Sequence, residues 1–221
     1  PAERAAVESR LAPNVRFLPV ITPDRQTVTK RRFLDSSHLT KLFEVQNLEM
    51  GDIIPETEAE FQRLLEVELP KHDMVMVNDF GHGFLTESVR SKIMADSPFL
   101  ALNTQTNSAN LGFNMITNYA KADYCCIDLA EARLASRSQH SSPLECGRRL
   151  LNSMSADSFM ITTGQTGSIY QLRNGENFEV PALSPQVIDR VGAGDAFFAV
   201  TSPWVFLDNP KDLTGFIGNS V

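Results

Sequence analysis

Short apolar runs alternate with amphipathic stretches along most of this chain. The run at residues 74–77 is apolar throughout, as is typical of a parallel strand that is covered on both faces. Between such runs, apolar residues recur at helical spacing. The alternation predicts an α/β fold with three layers, in which a doubly wound, mostly parallel sheet lies between helices. The predicted strands are 74–77, 99–102, 124–127 and 159–162, and the predicted helices are 57–69, 86–95, 109–119, 129–136 and 142–154.

Local start and turn signals accompany this pattern. Thr57 and Glu60 form the sequence pattern of a capping box at the start of one helix, and Ser142 and Glu145 form it at another. An Asn-Gly pair at residues 174–175 supplies the positive φ angles of a tight turn, which predicts a hairpin. Its two strands are predicted at 168–172 and 178–183.

A small β element is predicted near the amino terminus. Residues 14–21 and 27–34 have strand character and are separated by a turn signal at 22–24. The second strand has polar residues on both faces, which suits a lid or the edge of a sheet. Its basic cluster, which includes Lys30 and Arg31, is explained better by solvated charges that protect a sheet edge than by a binding role.

A glycine-bracketed turn interrupts the apolar pattern near the carboxyl end, where residues 187–198 are predicted to form strand, tight loop and helix. Gly192 and Gly194 let the backbone approach a ligand, and the helix directs unsatisfied N–H groups at the same point, so the loop is a candidate anion site. Asp195 would repel a bound phosphate unless it has a chemical role, such as that of a general base beside a phosphoryl group. Alternatively, the loop only closes a turn and Asp195 compensates the helix dipole.

Polar residues follow each predicted parallel strand. Ligands of doubly wound sheets bind at the carboxyl ends of the strands, so we expect these residues to line one crevice. Their carboxylates, amides, hydroxyls and glycines suit a nucleotide and a metal ion. The segments are 78–83 with Asp79, 103–105 with Asn103, 128–131, and 163–167 with Thr163, Gly164 and Gly167.

The carboxylates of Asp128 and Glu131 are separated by three positions. If Asp128 precedes a helix, both lie in its first turn, where hard oxygen ligands could hold Mg²⁺, often through water. The same spacing is also that of an ordinary capping arrangement. Both interpretations stay open at this point.

The string from Asp189 to Asp195, followed by Ala196 and Phe197, resembles the Asp-Thr-x-Gly-Ala-Gly-Asp signature of the ribokinase-like (PfkB) carbohydrate kinases. Arg190 stands where that family usually has Thr. The resemblance implies a ribokinase-like fold and the use of ATP with Mg²⁺. It also implies that Asp195 is the catalytic base and that the anion hole is formed by the amides of Gly192, Ala193 and Gly194.

Other segments resemble the same family. Residues 162–167 are similar to its Thr-x-Gly-x-x-Gly segment along the nucleotide, and residues 128–131 stand in place of its Asn-x-x-Glu motif, with Asp128 replacing Asn. Segments 27–32 and 79–83 are similar to bacterial heptose-phosphate kinases, with His82 in place of a Lys. The resemblance thus implies nucleotide contacts at Thr163, Gly164, Gly167, Asn103 and Asn219, metal contacts at Glu131 and Asp128, and substrate or phosphate contacts at Asp79, Lys30 and Arg31.

Arg190 bears on a further cofactor. Members of the family often hold a monovalent cation near this loop, and a guanidinium there could substitute for the bound ion. The side chain could equally turn outward and pair with an acidic neighbour. A monovalent cation is therefore an open expectation beside ATP and Mg²⁺.

Composition limits the classes of partner that the chain is expected to bind. The chain has 221 residues, of which 42% are hydrophobic and 21% are charged, which is ordinary for a globular domain. A net charge of −7 argues against a general nucleic-acid or membrane surface. Three cysteines form neither a disulfide framework nor a zinc site, and the four histidines lack ligand spacing. We expect a cytoplasmic protein with a sugar or sugar-phosphate partner.

The resulting hypothesis is a single ribokinase-like kinase domain over residues 1–221, incomplete at both ends. It transfers phosphoryl from ATP to a sugar hydroxyl, with a heptose-phosphate-like acceptor favoured. Homodimerisation and fusion to other domains are compatible with it. The alternative is a catalytically impaired, kinase-derived module that binds a nucleotide or a partner within a larger protein. A dinucleotide-dependent oxidoreductase is disfavoured because no Gly-x-Gly-x-x-Gly follows the first strand of a βαβ unit.

Overall fold

Eight strands and seven α-helices make up the described part of the chain. The computed structural model describes residues 2–35, 41–49, 51–107, 109–183 and 192–221. The strands are β1 (Thr29–Leu34), β2 (Lys41–Asn47), β3 (Val75–Asp79), β4 (Leu100–Thr104), β5 (Lys121–Asp128), β6 (Ser155–Thr162), β7 (Ser168–Leu172) and β8 (Asn177–Val180). The helices are α1 (Ala2–Glu8), α2 (Pro55–Glu68), α3 (Glu87–Asp96), α4 (Leu129–Ala135), α5 (Pro143–Ser153), α6 (Ala193–Phe206) and α7 (Thr214–Asn219).

The main sheet has the order β3-β4-β5-β6-β7-β8. Strands β3 to β6 are parallel, whereas β7 and β8 join as an antiparallel hairpin. The mostly parallel sheet and the predicted hairpin are therefore confirmed. Gly175 takes a φ of 96° in the hairpin turn, a conformation that favours glycine. The predicted strand at 187–188 lies outside the described residues.

A hydrophobic core lies on each face of the main sheet, because the side chains of each strand alternate between the two faces. In β5, Cys125 and Ile127 belong to the core that contains buried residues of α3, α4 and α5. Tyr124 and Cys126 belong to the core on the other face, which Phe197 and Phe198 of α6 complete. Successive side chains of a strand point to opposite faces, so β5 is covered on both sides. The predicted three-layer architecture is confirmed.

Helix starts follow the local chemistry, with one correction. Ser142 and Glu145 form the predicted capping box, because each accepts a hydrogen bond from the other's backbone N–H. The predicted box at Thr57 is wrong, since α2 begins at Pro55 and its N-cap residue makes no side-chain cap. Proline suits the first helical position because its φ is already helical and the N–H it lacks would have no partner there.

The predicted helix at 109–119 is also wrong. This segment forms turns that end in a short 3₁₀ helix at Ile116–Asn118. The side-chain oxygen of Asn107 accepts from the backbone N–H groups of Ala109 and Asn110, at 2.8 and 3.2 Å. The side-chain oxygen of Asn110 accepts from Asn107 N at 2.8 Å. These bonds resemble a helix cap, but Gly112 takes a φ of 82°, which an α-helix does not contain, so the segment continues as turns.

The small amino-terminal sheet is confirmed, but one of its predicted strands is not. β1 pairs with β2 in antiparallel register, with Thr29 opposite Asn47 and Phe33 opposite Phe43. Residues 14–21 form no strand. Pro19 lies inside that run and cannot donate to a sheet ladder, a signal that demotes it.

None of the helices within the described ranges is both long and apolar enough to cross a bilayer.

Candidate active site

The carboxyl ends of β3 to β6 meet at one edge of the sheet, and α6 begins beside them. Gln105 directly follows β4, and its side-chain Nε2 donates to Oδ1 of Asp195 at 2.6 Å. This bond joins two residues that are 90 positions apart in the chain. It places the predicted base among the residues that follow the strands, as the sequence pattern predicts for a shared crevice.

The turn before α6 has the geometry of an anion site. Gly192 is the N-cap residue of the helix and takes a left-handed φ of 81°. Its carbonyl accepts the first helical bond, from Ala196 N at 2.9 Å, so the amides of Ala193 and Gly194 precede the helical ladder. A Cβ added to Gly192 or Gly194 would meet no atom within 4 Å. The three predicted anion-hole residues are exposed, whereas Asp189 and Arg190 lie outside the described residues.

Asp128 and Glu131 form a complete capping box at the start of α4. Asp128 Oδ1 accepts from Glu131 N at 2.7 Å, and Glu131 Oε2 accepts from Asp128 N at 3.2 Å. Glu131 Oε1 also accepts from Thr106 N at 2.8 Å, in the loop after β4. The capping interpretation is therefore confirmed. The Glu131 carboxylate additionally connects α4 to the loop that carries Gln105.

The electrostatics of Glu131 are unusual for a cap. Burial, and then the neighbouring charge of Asp128, raise the pKa of Glu131 to about 7, and the charge of Asp195 adds to the effect. Three carboxylates thus share one region where a cation would relieve their repulsion. No group of three or more His, Cys, Asp or Glu residues in the described ranges is arranged to hold a metal ion by itself. A magnesium role for Glu131 and Asp128 stays a prediction.

This carboxylate predicts a dependence of stability on pH. The pKa of Glu131 is about 7 in the folded chain and 4.5 without the fold, so its contribution is present below pH 4.5 and is lost as pH rises through 7. Without divalent metal, we expect the parent to lose on the order of 2 kcal/mol of unfolding free energy between pH 5 and 8 relative to Glu131→Gln. Urea unfolding of both proteins in EDTA across that range measures it. Parallel pH profiles for the two proteins would contradict the assignment.

The residues that were predicted to contact the nucleotide lie in two separate places. Thr163 N and Oγ1 both donate to Gly167 O, at 2.8 and 2.9 Å, so a tight turn contains Thr163, Gly164 and Gly167. Gly167 has a φ of 112°, and a Cβ there would lie 2.0 Å from Val180 O. Asn219 Nδ2 donates to the same carbonyl at 3.3 Å. Gly167 and Asn219 therefore lie together beside the β7–β8 hairpin.

The Asn103 side chain is buried, although a residue that contacts a nucleotide directly is expected to be accessible. It is 5% exposed, and its Nδ2 donates to Cys126 O at 2.7 Å. Its Oδ1 is buried with no hydrogen-bond partner among the described residues. The side chain thus supports the carboxyl end of β5, and direct contact with a nucleotide stays a prediction.

The three residues that were predicted to contact the substrate do not lie together. Asp79 is 4% exposed and accepts from Tyr119 Oη at 2.9 Å and from Gly81 N at 2.8 Å. Alternation along β3 places it on the face of Val77, which belongs to the α3 side core. Its side chain therefore holds the turn after β3. Its proposed contact with substrate remains untested.

Lys30 and Arg31 occupy opposite faces of β1. The Lys30 Nζ lies 5.7 Å from the ring centroid of Phe80, in the loop after β3. Arg31 is exposed opposite Val45 on the other face of the small sheet. The structure thus brings Lys30, and not Arg31, towards the strand-end loops.

Gln105 belongs to the predicted strand-end segment 103–105, but no role was predicted for it. The available signal was its position directly after an apolar strand. Its partner could not be read, because no sequence period relates it to Asp195.

Sequence and structure comparisons find proteins that are similar to this chain. Residues 106–205 match the family described as pfkB family carbohydrate kinase. Bifunctional protein HldE of Bradyrhizobium diazoefficiens is 24% identical over 201 residues, which cover 90% of this chain and 38% of that protein. The chain therefore spans well under half the length of this curated relative.

Solved structures share the fold. A mutant of phosphofructokinase-2 from Escherichia coli superimposes with a TM-score of 0.64 at 11% identity, covering 80% of this chain and 59% of that chain. A Burkholderia thailandensis nucleoside kinase in complex with inosine has a TM-score of 0.61 at 16% identity, covering 99% and 67%. The architecture is thus ribokinase-like. The segment that matches the pfkB family carbohydrate kinase model includes Thr106, Glu131 and Asp195.

Proposed function

We propose that this chain is the core of an enzyme that transfers a phosphoryl group from ATP to a hydroxyl of a sugar or sugar phosphate. The observation that supports the proposal most is the position of Asp195. It lies in the first turn of α6, directly after three exposed residues whose backbone can face an anion, and beside the strand-end residues Gln105 and Glu131. A carboxylate beside an anion site suits a base that works on a phosphoryl acceptor.

The reaction places each group in a defined role. Asp195 takes the proton of the acceptor hydroxyl as that oxygen forms a bond to the γ-phosphorus of ATP. The bond between the γ-phosphorus and the bridging oxygen breaks, and ADP leaves with the electron pair. The amides of Gly192, Ala193 and Gly194 donate to the transferred group and stabilise its charge. Because the transfer depends largely on positioning, it matters that α6 carries both the base and the anion loop.

The donor set fits Mg²⁺ held through water. Asp128 and Glu131 supply carboxylate oxygens, which this ion prefers. The raised pKa of Glu131 reflects its burial first and then the nearby charges of Asp128 and Asp195, whose repulsion a cation would relieve. Both carboxylates already accept backbone N–H groups, so they would orient water ligands of the ion. When bound, Mg²⁺ neutralises phosphate charge.

A heptose phosphate is the favoured acceptor. The proposal rests on similarity to HldE over 90% of this chain and on the basic strand β1, whose Lys30 lies over the loop after β3. Fructose 6-phosphate and inosine are the natural competitors, because structural neighbours have been solved with these compounds. A positive group near the acceptor would favour a phosphorylated sugar over inosine.

An acceptor screen tests the proposal. The full-length protein is incubated with ATP and Mg²⁺ and with heptose phosphates, fructose 6-phosphate, free hexoses or inosine, and ADP release is followed. We expect release that depends on a sugar acceptor and falls when Mg²⁺ is chelated. Nucleotide binding without acceptor-dependent release would favour the alternative of a binding module.

A further inference from the structure

Gln105 makes a contact that the proposed reaction does not yet use. Its side-chain Nε2 donates to Asp195 Oδ1 at 2.6 Å, and both residues are partly buried. We propose that Gln105 is a positioning residue that fixes the orientation of the Asp195 carboxylate for proton transfer. The inference rests on the proposed function, because it takes Asp195 as the base.

The backbone of Gln105 is held from several directions. Gln105 N donates to Asp79 O at 2.8 Å, which extends the ladder between β3 and β4. Gln105 O accepts from Asn114 Nδ2 at 3.2 Å. The next amide, Thr106 N, donates to Glu131 Oε1 at 2.8 Å. Three separate segments therefore fix the point from which the Gln105 side chain extends.

The asparagine-rich loop supports the same position. Asn114 Nδ2 also donates to Asp79 O at 2.8 Å, and Asn107 Nδ2 donates to Phe80 O at 3.2 Å. These bonds hold the segment after β4 in the turns that stand in place of the predicted helix. Its asparagine side chains join the strand-end loops instead, and the loop that results carries Gln105 to α6.

A neutral amide suits a catalytic base. An N–H donor on Oδ1 restricts rotation of the carboxylate and leaves Oδ2 to receive the acceptor proton. A Lys or Arg in this place would stabilise the charged carboxylate more strongly and weaken it as a base. A second carboxylate would repel it. Gln105 can thus orient Asp195 without adding a charge beside it.

Glu131 acts on this arrangement through the backbone. One of its oxygens belongs to the capping box of α4, and the other accepts Thr106 N. The carboxylate therefore keeps the loop after β4 in register with α4. Displacement of this loop would move the Gln105 amide away from Asp195 without any direct contact between Glu131 and the acceptor.

Gln105→Met tests the inference, since Met has a similar volume but no donor. With ATP and a heptose phosphate as probes, we expect kcat to fall about tenfold while the KM for ATP changes by less than about twofold. The matched control is Gln62→Met, which removes a carboxamide that donates to Ser88 at 2.6 Å on the outer helices α2 and α3. The control should leave kcat and KM unchanged. Gln105→Met should add no further loss when Asp195 is already Asn.

The outcomes separate the inference from the proposed function. If the parent turns over no acceptor of the screen, the proposed function fails. If Asp195→Asn turns over like the parent, Asp195 is not the base and the positioning role fails with it. If Asp195→Asn is inactive and Gln105→Met keeps kcat within twofold, only the positioning role fails. A fall in kcat that a loss of thermal stability accounts for would assign Gln105 a structural role and overturn the inference. A fall that the Gln62→Met control reproduces would do the same.

A second measurement needs no acceptor. The side-chain N–H resonances of Gln105, identified by their loss in Gln105→Met, should shift in Asp195→Ala by more than any other glutamine side-chain signal. Unchanged Gln105 resonances in that variant would mean that the contact is absent in solution, which overturns the inference even if heptose phosphate is not turned over.

Discussion

Asp195→Asn is expected to lower kcat by a factor on the order of 10² or more while the affinity for ATP stays close to that of the parent. Asparagine has nearly the same size as aspartate but cannot accept a proton at neutral pH. The residue lies in the first turn of α6 and the amides of the anion hole belong to the backbone, so phosphate contacts survive the change. Steady-state kinetics and nucleotide titration of both proteins provide the measurement.

Asp212→Asn is the matched control for this prediction. Asp212 is exposed in the short 3₁₀ helix Lys211–Leu213, and its loss of charge should leave kcat unchanged. Turnover by Asp195→Asn within a few-fold of the parent would remove Asp195 from the mechanism. The glycine loop would then be a turn whose first acidic residue only compensates the helix dipole.

Phe198→Ala is expected to lower the free energy of unfolding by about 3–5 kcal/mol, the usual cost of removing a buried aromatic ring from a core. Phe198 is 0% exposed and lies parallel to Tyr124, with ring centroids 6.3 Å apart. It belongs to the core that attaches α6 to the sheet, together with Ala101 and Met160. Urea unfolding monitored by circular dichroism measures the loss.

Phe216→Ala provides the comparison, because this ring is 47% exposed on α7 and its removal should cost less than about 1 kcal/mol. If the two variants lose similar stability, the layer formed by α6 is not packed as described. The attachment of α6 matters for activity as well, since the same helix carries the proposed base and begins at the anion loop.

The layered core could be predicted from the sequence because its strands are buried on both faces. Residues 124–127 and 159–162 are continuous apolar runs, and the structure places them in β5 and β6 between two cores. The helix that was predicted from apolar spacing at 109–119 is absent, because a glycine inside it leaves the helical conformation. Residues 109–119 have apolar positions at helical spacing, but Gly112 takes a left-handed φ of 82° among them.

The position of the site at the strand ends could be predicted from the sequence, but the contacts between its residues could not. The rule for parallel strands placed the polar residues after β3 to β6 at one edge, but strand parity decides which side each one faces. Asp79 shares its face with Val77 and is buried away from α6. Gln105 reaches Asp195 from 90 positions away, a contact that depends on how α6 crosses the sheet. Glu131 combines a local cap, which its spacing predicts, with a distant bond to Thr106, which no spacing predicts.

Direct observation of the transferred phosphoryl group tests the central claim. The full-length protein is mixed with ATP, Mg²⁺ and a heptose phosphate, and ³¹P NMR follows the products. We expect a new phosphorylated sugar resonance that grows in equal amount with ADP and is absent with Asp195→Asn. ADP that appears only with inorganic phosphate, or ATP that binds and stays intact with every acceptor of the screen, would contradict phosphoryl transfer by this site.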